Sequence, residues 1–274
     1  MKLTYYGTAA GEGWPGLFCN CGLCREARRL KGKNIRTRSQ ALVNDDLLID
    51  LTPDTNLHSL FYGLDLEKVD HLLVTHSHAD HFHPAELELL REPFAHNRPG
   101  IFHIYGNDRV RDRIWKEVPD VELAENRFAF HKALPFQPVT IKDYTVVPLR
   151  ALHDRREECL FYRITQGDRT ILYAHDTGAF PEQTVEYLKK DRIHLDLVSL
   201  DCTTQSEPDG KNHMGLADAV REKQRLTELG LGDGHTRWIV NHFSHNGLWL
   251  HDRMVEEAGK AGFEVSYDGM AVEI

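Results

Sequence analysis

The stretch Thr75-His76-Ser77-His78-Ala79-Asp80-His81 sets three imidazoles and a carboxylate within six residues, directly after the apolar run Leu72-Leu73-Val74. A strand that ends and then splays four metal-competent side chains into a loop adds little to a core. It does build a metal site, because neutral imidazole and carboxylate are donors that suit zinc, manganese and iron. A short rigid loop aims alternate residues, His76 and His78, at one ion and Asp80 with His81 at a second. The alternative, a polar loop that happens to be rich in histidine, is weighed against further donors downstream. Histidine is not among the commonest residues of globular domains, yet the chain has 17. His58, His71, His83, His96, His103, His131, His175, His194, His235 and His251 read as surface or supporting residues with no ligand role.

A second cluster is Cys19-Asn20-Cys21-Gly22-Leu23-Cys24. Its Cys-x-Cys-x-x-Cys spacing is too tight for independent disulfides but suits thiolate ligation of one structural zinc by a loop at 18–25. Gly22 lets the loop fold back so that three sulfurs converge. Tetrahedral zinc needs a fourth ligand, and His245 is the candidate. The alternative is a set of buried, inert thiols. Cys159 and Cys202 lie in strand-like runs and read as small core residues.

At 274 residues the chain is long enough for a large core, and the whole of 1–274 reads as a single α/β domain. A run of about 18 apolar residues is missing, so no transmembrane helix is expected. Met1 to Gly7 reads as a first strand rather than a signal peptide, and a cytoplasmic location follows as the default. The formal charge of −9 argues against broad binding to nucleic-acid backbones. It does not exclude a phosphate substrate, because divalent ions invert the local field. The basic cluster Arg25, Arg28, Arg29, Lys31, Lys33, Arg36 and Arg38 reads as a solvated helix face plus loop. Its functional alternative has Arg36 or Arg38 bordering the site.

Strands are expected at 3–6, 40–43, 47–50, 69–75, 101–105, 144–149, 160–165, 170–174, 195–200 and 237–241. Helices are expected at 53–61, 84–91, from a cap at Asn107 or Asp108 through Trp115, at 181–190 and at 216–229. Met254, Val255, Ala258 and Ala261 form one apolar helical face before a closing strand pair turned at Asp268-Gly269. Strands in two groups with flanking helices imply sheets packed face to face with helices outside.

The His-x-His-x-Asp-His signature after a strand resembles that of the metallo-β-lactamase superfamily, whose members are mostly metal-dependent hydrolases. That resemblance implies a four-layer αββα sandwich. It also marks Asp50 in Leu48-Ile49-Asp50 as the strand-end aspartate, His153 as the third histidine, Asp176 as the bridging aspartate and His242 as the last ligand. Within the superfamily, Cys-x-Cys-x-x-Cys with His242-Phe243-Ser244-His245 resembles the phosphoribosyl cyclic phosphodiesterase family of the carbon–phosphorus lyase pathway. That family carries a catalytic histidine after an Asp-Cys pair, here Asp201-Cys202 followed by His213. The residues after Asp201-Cys202 and the basic loop diverge from its pattern, and its substrate is not carried over.

The resulting assignment gives His76, His78 and His153 to one divalent ion and Asp80, His81 and His242 to the other. Asp176 bridges both, and Asp50 orients a ligand histidine. The ions are expected to be manganese or zinc, with iron as an option, alongside the structural zinc. The expected activity is hydrolysis of a phosphodiester, a small cyclic sugar or nucleotide phosphate, with Asp80 and His213 as the catalytic residues besides the ions. Alternatives are hydrolysis of another ester or lactone, RNA processing, or non-catalytic metal or ligand binding on the same fold. Expected partners are the small-molecule substrate and, as an option, a second copy of the chain in a homodimer; membrane and nucleic acid are not expected partners.

Overall fold

The computed structural model describes residues 1–118, 126–208 and 210–274. Seven strands form one sheet in the order β14-β1-β2-β3-β4-β5-β6: β1 (Lys2–Gly7), β2 (Gln40–Val43), β3 (Leu47–Ile49), β4 (His71–Leu73), β5 (Phe102–Gly106), β6 (Phe128–Lys132) and β14 (Met270–Glu273). Seven more form a second sheet in the order β13-β12-β11-β10-β9-β8-β7: β7 (Val139–Ile141), β8 (Tyr144–Arg150), β9 (Leu160–Gln166), β10 (Arg169–Ala174), β11 (Leu197–Asp201), β12 (Arg237–Asn241) and β13 (Glu264–Val265). Six α-helices flank the sheets among the described residues: α1 (Gly22–Leu30), α2 (Thr55–Tyr62), α3 (Asp108–Glu117), α4 (Glu182–Asp191), α5 (Leu216–Glu228) and α6 (His251–Lys260).

The apolar runs are continuous because each sheet is covered on both faces. In β3, Leu47 and Ile49 face the other sheet while Leu48 faces outward; in β10, Ile171 and Tyr173 face inward while Leu172 and Ala174 face outward. The inner cluster packs Leu3, Val43 and Leu73 against Tyr162, Ile164 and Ile239. Val110 and Ile114 of α3 cover the first sheet, and Val185, Leu188, Leu226 and Ala258 of α4, α5 and α6 cover the second. This is the expected αββα sandwich. Truncating one such fully buried leucine to alanine costs about 2–5 kcal/mol. No helix among the described residues is long and apolar enough to cross a membrane.

Several local expectations change. The segment Pro84–Leu90 is a 3-10 helix rather than an α-helix, and α2 starts at Thr55, two residues past the proline. Val255 is 47% exposed, so the buried stripe of α6 is His251, Met254 and Ala258. The two C-terminal strands do not pair: β13 joins β12 in the second sheet and β14 joins β1 in the first. The turn at Asp268-Gly269 therefore crosses between sheets. Strands β6 and β7 went unread in the sequence.

Within each sheet the strands that matter for the site point the same way. β3 and β4 run parallel, as do β10, β11 and β12, and β8 shares their direction through two antiparallel steps. Asp50, Thr75, Ala151, His175, Asp201 and His242 thus stand at or just beyond strand ends on one edge of the sandwich. Two ties close this edge: Tyr162 Oη donates to Val74 O at 2.6 Å, and Leu160 N donates to Thr75 O at 2.9 Å.

Candidate metal centre

Three residues that leave these strands adopt left-handed backbone conformations: Asp50 (φ 65°), Asp176 (φ 49°) and His242 (φ 66°). Asp and His tolerate this region better than most residues but still at a cost. The turn at each strand end swings a polar side chain back over the edge. All three side chains are almost fully buried.

The donors converge in two sets that share one carboxylate. His76, His78, His153 and Asp176 present ligand atoms within 4.8 Å of one another, as do Asp80, His81, Asp176 and His242. Asp176 Oδ2 lies 3.3 Å from His76 Nε2, 2.8 Å from His81 Nε2 and 3.7 Å from His153 Nε2. The structure thus brings His76, His78 and His153 together in one set and Asp80, His81 and His242 in the other, with Asp176 in both.

The outer hydrogen bonds fix which ring nitrogen faces inward. His81 Nδ1 donates to Asp50 Oδ2 at 2.7 Å. The hydroxyl hydrogen of Thr75 goes to Asp50, so Thr75 Oγ1 accepts from His76 Nδ1 at 3.0 Å. In the same way Thr203 Oγ1 donates to Asp201 and accepts from His242 Nδ1 at 2.8 Å. His78 Nε2 donates to Asp154 Oδ2 at 3.0 Å, and His153 Nδ1 donates to the Asn212 carbonyl at 3.1 Å. Each neutral ring therefore turns a bare nitrogen lone pair toward the centre.

With the rings neutral, the inward nitrogens meet one another without a proton to share. His78 Nδ1 lies 3.2 Å from His153 Nε2, and His81 Nε2 lies 3.2 Å from His242 Nε2. His76 Nε2 and Asp176 Oδ1 are buried and make no hydrogen bond among the described residues, although His213 Nδ1 and His242 Nδ1 approach Asp176 Oδ1 at 3.2 and 3.4 Å. Leaving such groups unmet costs about 1–3 kcal/mol each. Lone pairs and carboxylates gathered this way fit divalent cations. The electrostatics agree. Burial works against a charged His81 ring, yet Asp80, Asp176 and Asp50 raise its affinity for a proton well above normal. Burial also opposes ionised Asp80, but the His81 ring holds its carboxyl below the usual range. A field that draws a proton to His81 draws a metal ion as well.

His213 follows the loop after β11. Its Nδ1 lies 3.2 Å from Asp176 Oδ1 and 3.4 Å from Asp201 Oδ2. Burial disfavours its charge, but the two carboxylates push its pKa up to about 11. His213, Asp176, Asp201 and His242 also form a further group of donors close enough to share an ion. A cavity of about 530 Å³ opens over the centre, with Asp80, Asp176, His153 and His213 in its wall.

Cys19, Cys21, Cys24 and His245 make a separate cluster. His245 Nδ1 lies 3.7 Å from Cys21 Sγ and 3.9 Å from Cys19 Sγ. Tetrahedral zinc with ordinary Zn–S and Zn–N bonds spaces such atoms by roughly 3.6 Å. Cys21 caps α1, and the Cys24 amide, its largest influence, lowers its pKa to about 6, which favours the thiolate. His242 and His245 thus separate cleanly: the first faces the histidine centre and the second the cysteines.

The basic cluster takes the structural reading. Arg28 donates to the Cys19 and Gly16 carbonyls and braces the cysteine loop. Arg36 does not border the site: it is buried and donates to Thr8 Oγ1 and Ser266 O. Arg38 pairs with Asp54 at 2.8 Å. Of the histidines given no ligand role, His175 is buried beside the centre and bonds Ser199 and Asn241, while His71, His103 and His131 stack together away from it. Sequence reasoning missed Asp154, Thr75 and Thr203 as orienting groups. Their adjacency to His153, His76 and Cys202 was the available signal, and it says nothing about direction.

The architecture and the donor set define a metallo-β-lactamase-fold protein with a histidine–carboxylate centre able to hold metal. The chain belongs to the family described as the beta-lactamase superfamily domain, whose model matches residues 46–231. It is 29% identical over 293 residues to the octanoyltransferase of Porphyromonas gingivalis (strain ATCC BAA-308 / W83), a match that covers 100% of this chain and 53% of that protein. The chain thus spans about half the length of that relative. Among solved structures it is similar to a new diphosphatase from the PhnP family (TM-score 0.74, 22% identity, 100% of this chain and 97% of the other). It is also similar to Zn(2+)-bound PqqB from Methylobacterium extorquens (TM-score 0.71, 18% identity, 100% of each chain).

Proposed function

We propose that this chain is a metal-dependent hydrolase that cleaves a phosphodiester, with a small cyclic sugar or nucleotide phosphate as its substrate. The observation that carries this reading is the set of five histidines gathered around one buried carboxylate beneath an open cavity, each with one ring nitrogen engaged by an outer hydrogen bond and the other left bare. His76, His78 and His153 would hold one ion and Asp80, His81 and His242 the other, with Asp176 reaching both. Manganese or zinc suits this donor set, and iron is a further option. When bound, the ions supply Lewis acidity that brings the pKa of water toward neutrality and offsets charge on phosphoryl oxygens.

The protein's own groups do the rest. Asp50, Asp154, Thr75 and Thr203 fix the ring tautomers and orientations. Asp201 and Asp176 keep His213 charged, with Nδ1 held between them. Nε2 is then the atom that gives a proton to the departing alcohol oxygen. Asp80, in the cavity wall, acts both as ligand and as a negative group that steadies the attacking water. Cleavage of a phosphorus–oxygen bond is also the chemistry for which the PhnP-family diphosphatase of the same fold is named. The Cys19–His245 cluster would hold a structural zinc that fixes the loop beside the cavity.

The test compares bis(p-nitrophenyl) phosphate with lactones on protein loaded with manganese or zinc. Phosphodiester turnover in excess of lactone turnover is expected. Lactone hydrolysis alone would reassign the substrate class, and two bound ions with no hydrolysis of either would make the protein a non-catalytic binder.

A further inference from the structure

The cavity over the centre has a charge pattern that the metal site does not explain. Besides Asp80 and Asp176, its wall carries Glu12 and Glu207, and no lysine or arginine among the described residues. The cations one contact removed are turned away. Arg38 is held by Asp54 and the Gly11 carbonyl, and Arg156 by Asp154. With the two aspartates facing metal ions, the remaining wall is negative apart from the His213 ring, which is held between Asp176 and Asp201.

Glu12 is built in rather than merely present. Its Oε1 accepts from Ser244 Oγ at 2.5 Å and lies 3.7 Å from His245 Nε2. The other nitrogen of that ring faces Cys21 and Cys19. Ser244 and His245, adjacent on the β12 exit loop, therefore hold this one oxygen. Its second oxygen makes no hydrogen bond among the described residues. A carboxylate in a cavity wall, held by one oxygen and with its other oxygen unbonded among the described residues, is an acceptor for hydrogen-bond donors and repels anions.

We infer that Glu12 is a specificity-determining residue that reads the alcohol portion of the substrate, favouring donor-bearing groups (hydroxyls or an ammonium) and rejecting a second anionic group. This rests on the phosphodiesterase reading above. It narrows the substrate class to monoanionic diesters of polyhydroxy or amino alcohols, and sets aside cyclic phosphates that carry a further phosphate.

The experiment uses the metal-loaded full chain and a series of p-nitrophenyl phosphodiesters whose second alcohol is ethyl, glyceryl, 2-aminoethyl or 2-carboxyethyl. In each, water oxygen bonds to phosphorus, the phosphorus–oxygen bond to the aryl group breaks, and p-nitrophenolate leaves. One hydrogen bond to a charged acceptor corresponds to about a tenfold gain. The glyceryl or 2-aminoethyl ester is expected to exceed the ethyl ester in kcat/KM by about that factor, and which of the two does so identifies hydroxyl or ammonium as the donor. The 2-carboxyethyl ester is expected to fall below ethyl. In Glu12→Gln the donor-to-ethyl ratio falls toward one and the carboxyethyl-to-ethyl ratio rises. Because Glu12 touches His245, zinc content is measured on the variant, and if zinc is lost the wild-type ranking decides alone. Turnover with the carboxyethyl ester equal or best, or ratios untouched in a zinc-replete Glu12→Gln, overturns this inference alone. Turnover of none of the esters overturns the phosphodiesterase reading and this inference with it.

Discussion

Replacing Asp50 by asparagine isolates the role of ring orientation at the metal centre. Asparagine has the same shape and tolerates the left-handed backbone that Asp50 adopts at φ 65°. The carboxylate receives His81 Nδ1–H on Oδ2 at 2.7 Å and the Thr75 backbone N–H on Oδ1 at 2.8 Å. An amide offers one acceptor oxygen and one NH2 donor, so it cannot serve both. If the oxygen keeps Thr75, the NH2 faces His81 Nδ1, and the ring proton must move to Nε2. That atom lies 2.8 Å from Asp176 Oδ2 and is the one needed for ligation. If the amide flips, a buried backbone N–H is left facing a donor, at about 1–3 kcal/mol. Either outcome weakens the site. Loss of such an outer partner costs about 10–100-fold in metal affinity, or roughly 1.4–2.7 kcal/mol. Competition with a chromophoric chelator, with Asp45→Asn as a control at a 73% exposed carboxylate, measures the change. Binding of both ions with wild-type affinity by Asp50→Asn would refute the tautomer argument.

His213→Ala should lower kcat by about 10²–10⁴-fold while elemental analysis still finds both active-site ions; loss of an ion would instead make His213 a ligand. Cys21→Ser should lose one zinc per chain while the His76–His242 donors keep theirs. A loss of about 3 kcal/mol would lower Tm by roughly 6–12 °C, readable by calorimetry; a full zinc complement would remove Cys21 from the cluster. Burial raises the pKa of Asp268 to about 6, against the hydrogen bonds from Thr8 and Thr37. The folded protein therefore binds this proton more tightly than the unfolded chain, and between about pH 4 and 6 its contribution to stability falls as pH rises, by at most about 1.4 kcal/mol per unit. Asp268→Asn removes that slope, so urea unfolding should show the variant gaining on wild type across this window. A constant difference between the two would contradict the assignment.

The sequence by itself determined the mixed α/β class and the local cluster of His76, His78, Asp80 and His81, while the αββα sandwich and the donors His153, Asp176 and His242 came from the resemblance that the cluster carries. Period-2 and continuous apolar runs mark strands buried on both faces, and metal-competent residues stand where those runs stop. Short-range spacing likewise marked the three cysteines as one cluster. The structure sends the rings of His242 and His245, three residues apart on one loop and assigned to different clusters in the sequence, to those two clusters through a 3-10 turn after β12. It also decided that Arg36 is a buried brace, that β13 and β14 belong to different sheets, and that Asp154 and the two threonines dictate which nitrogen of each ring faces inward. Residue type and spacing specify which donors exist. Direction, burial and the partner of each second nitrogen depend on contacts between segments distant in the chain, and only folding brings those together.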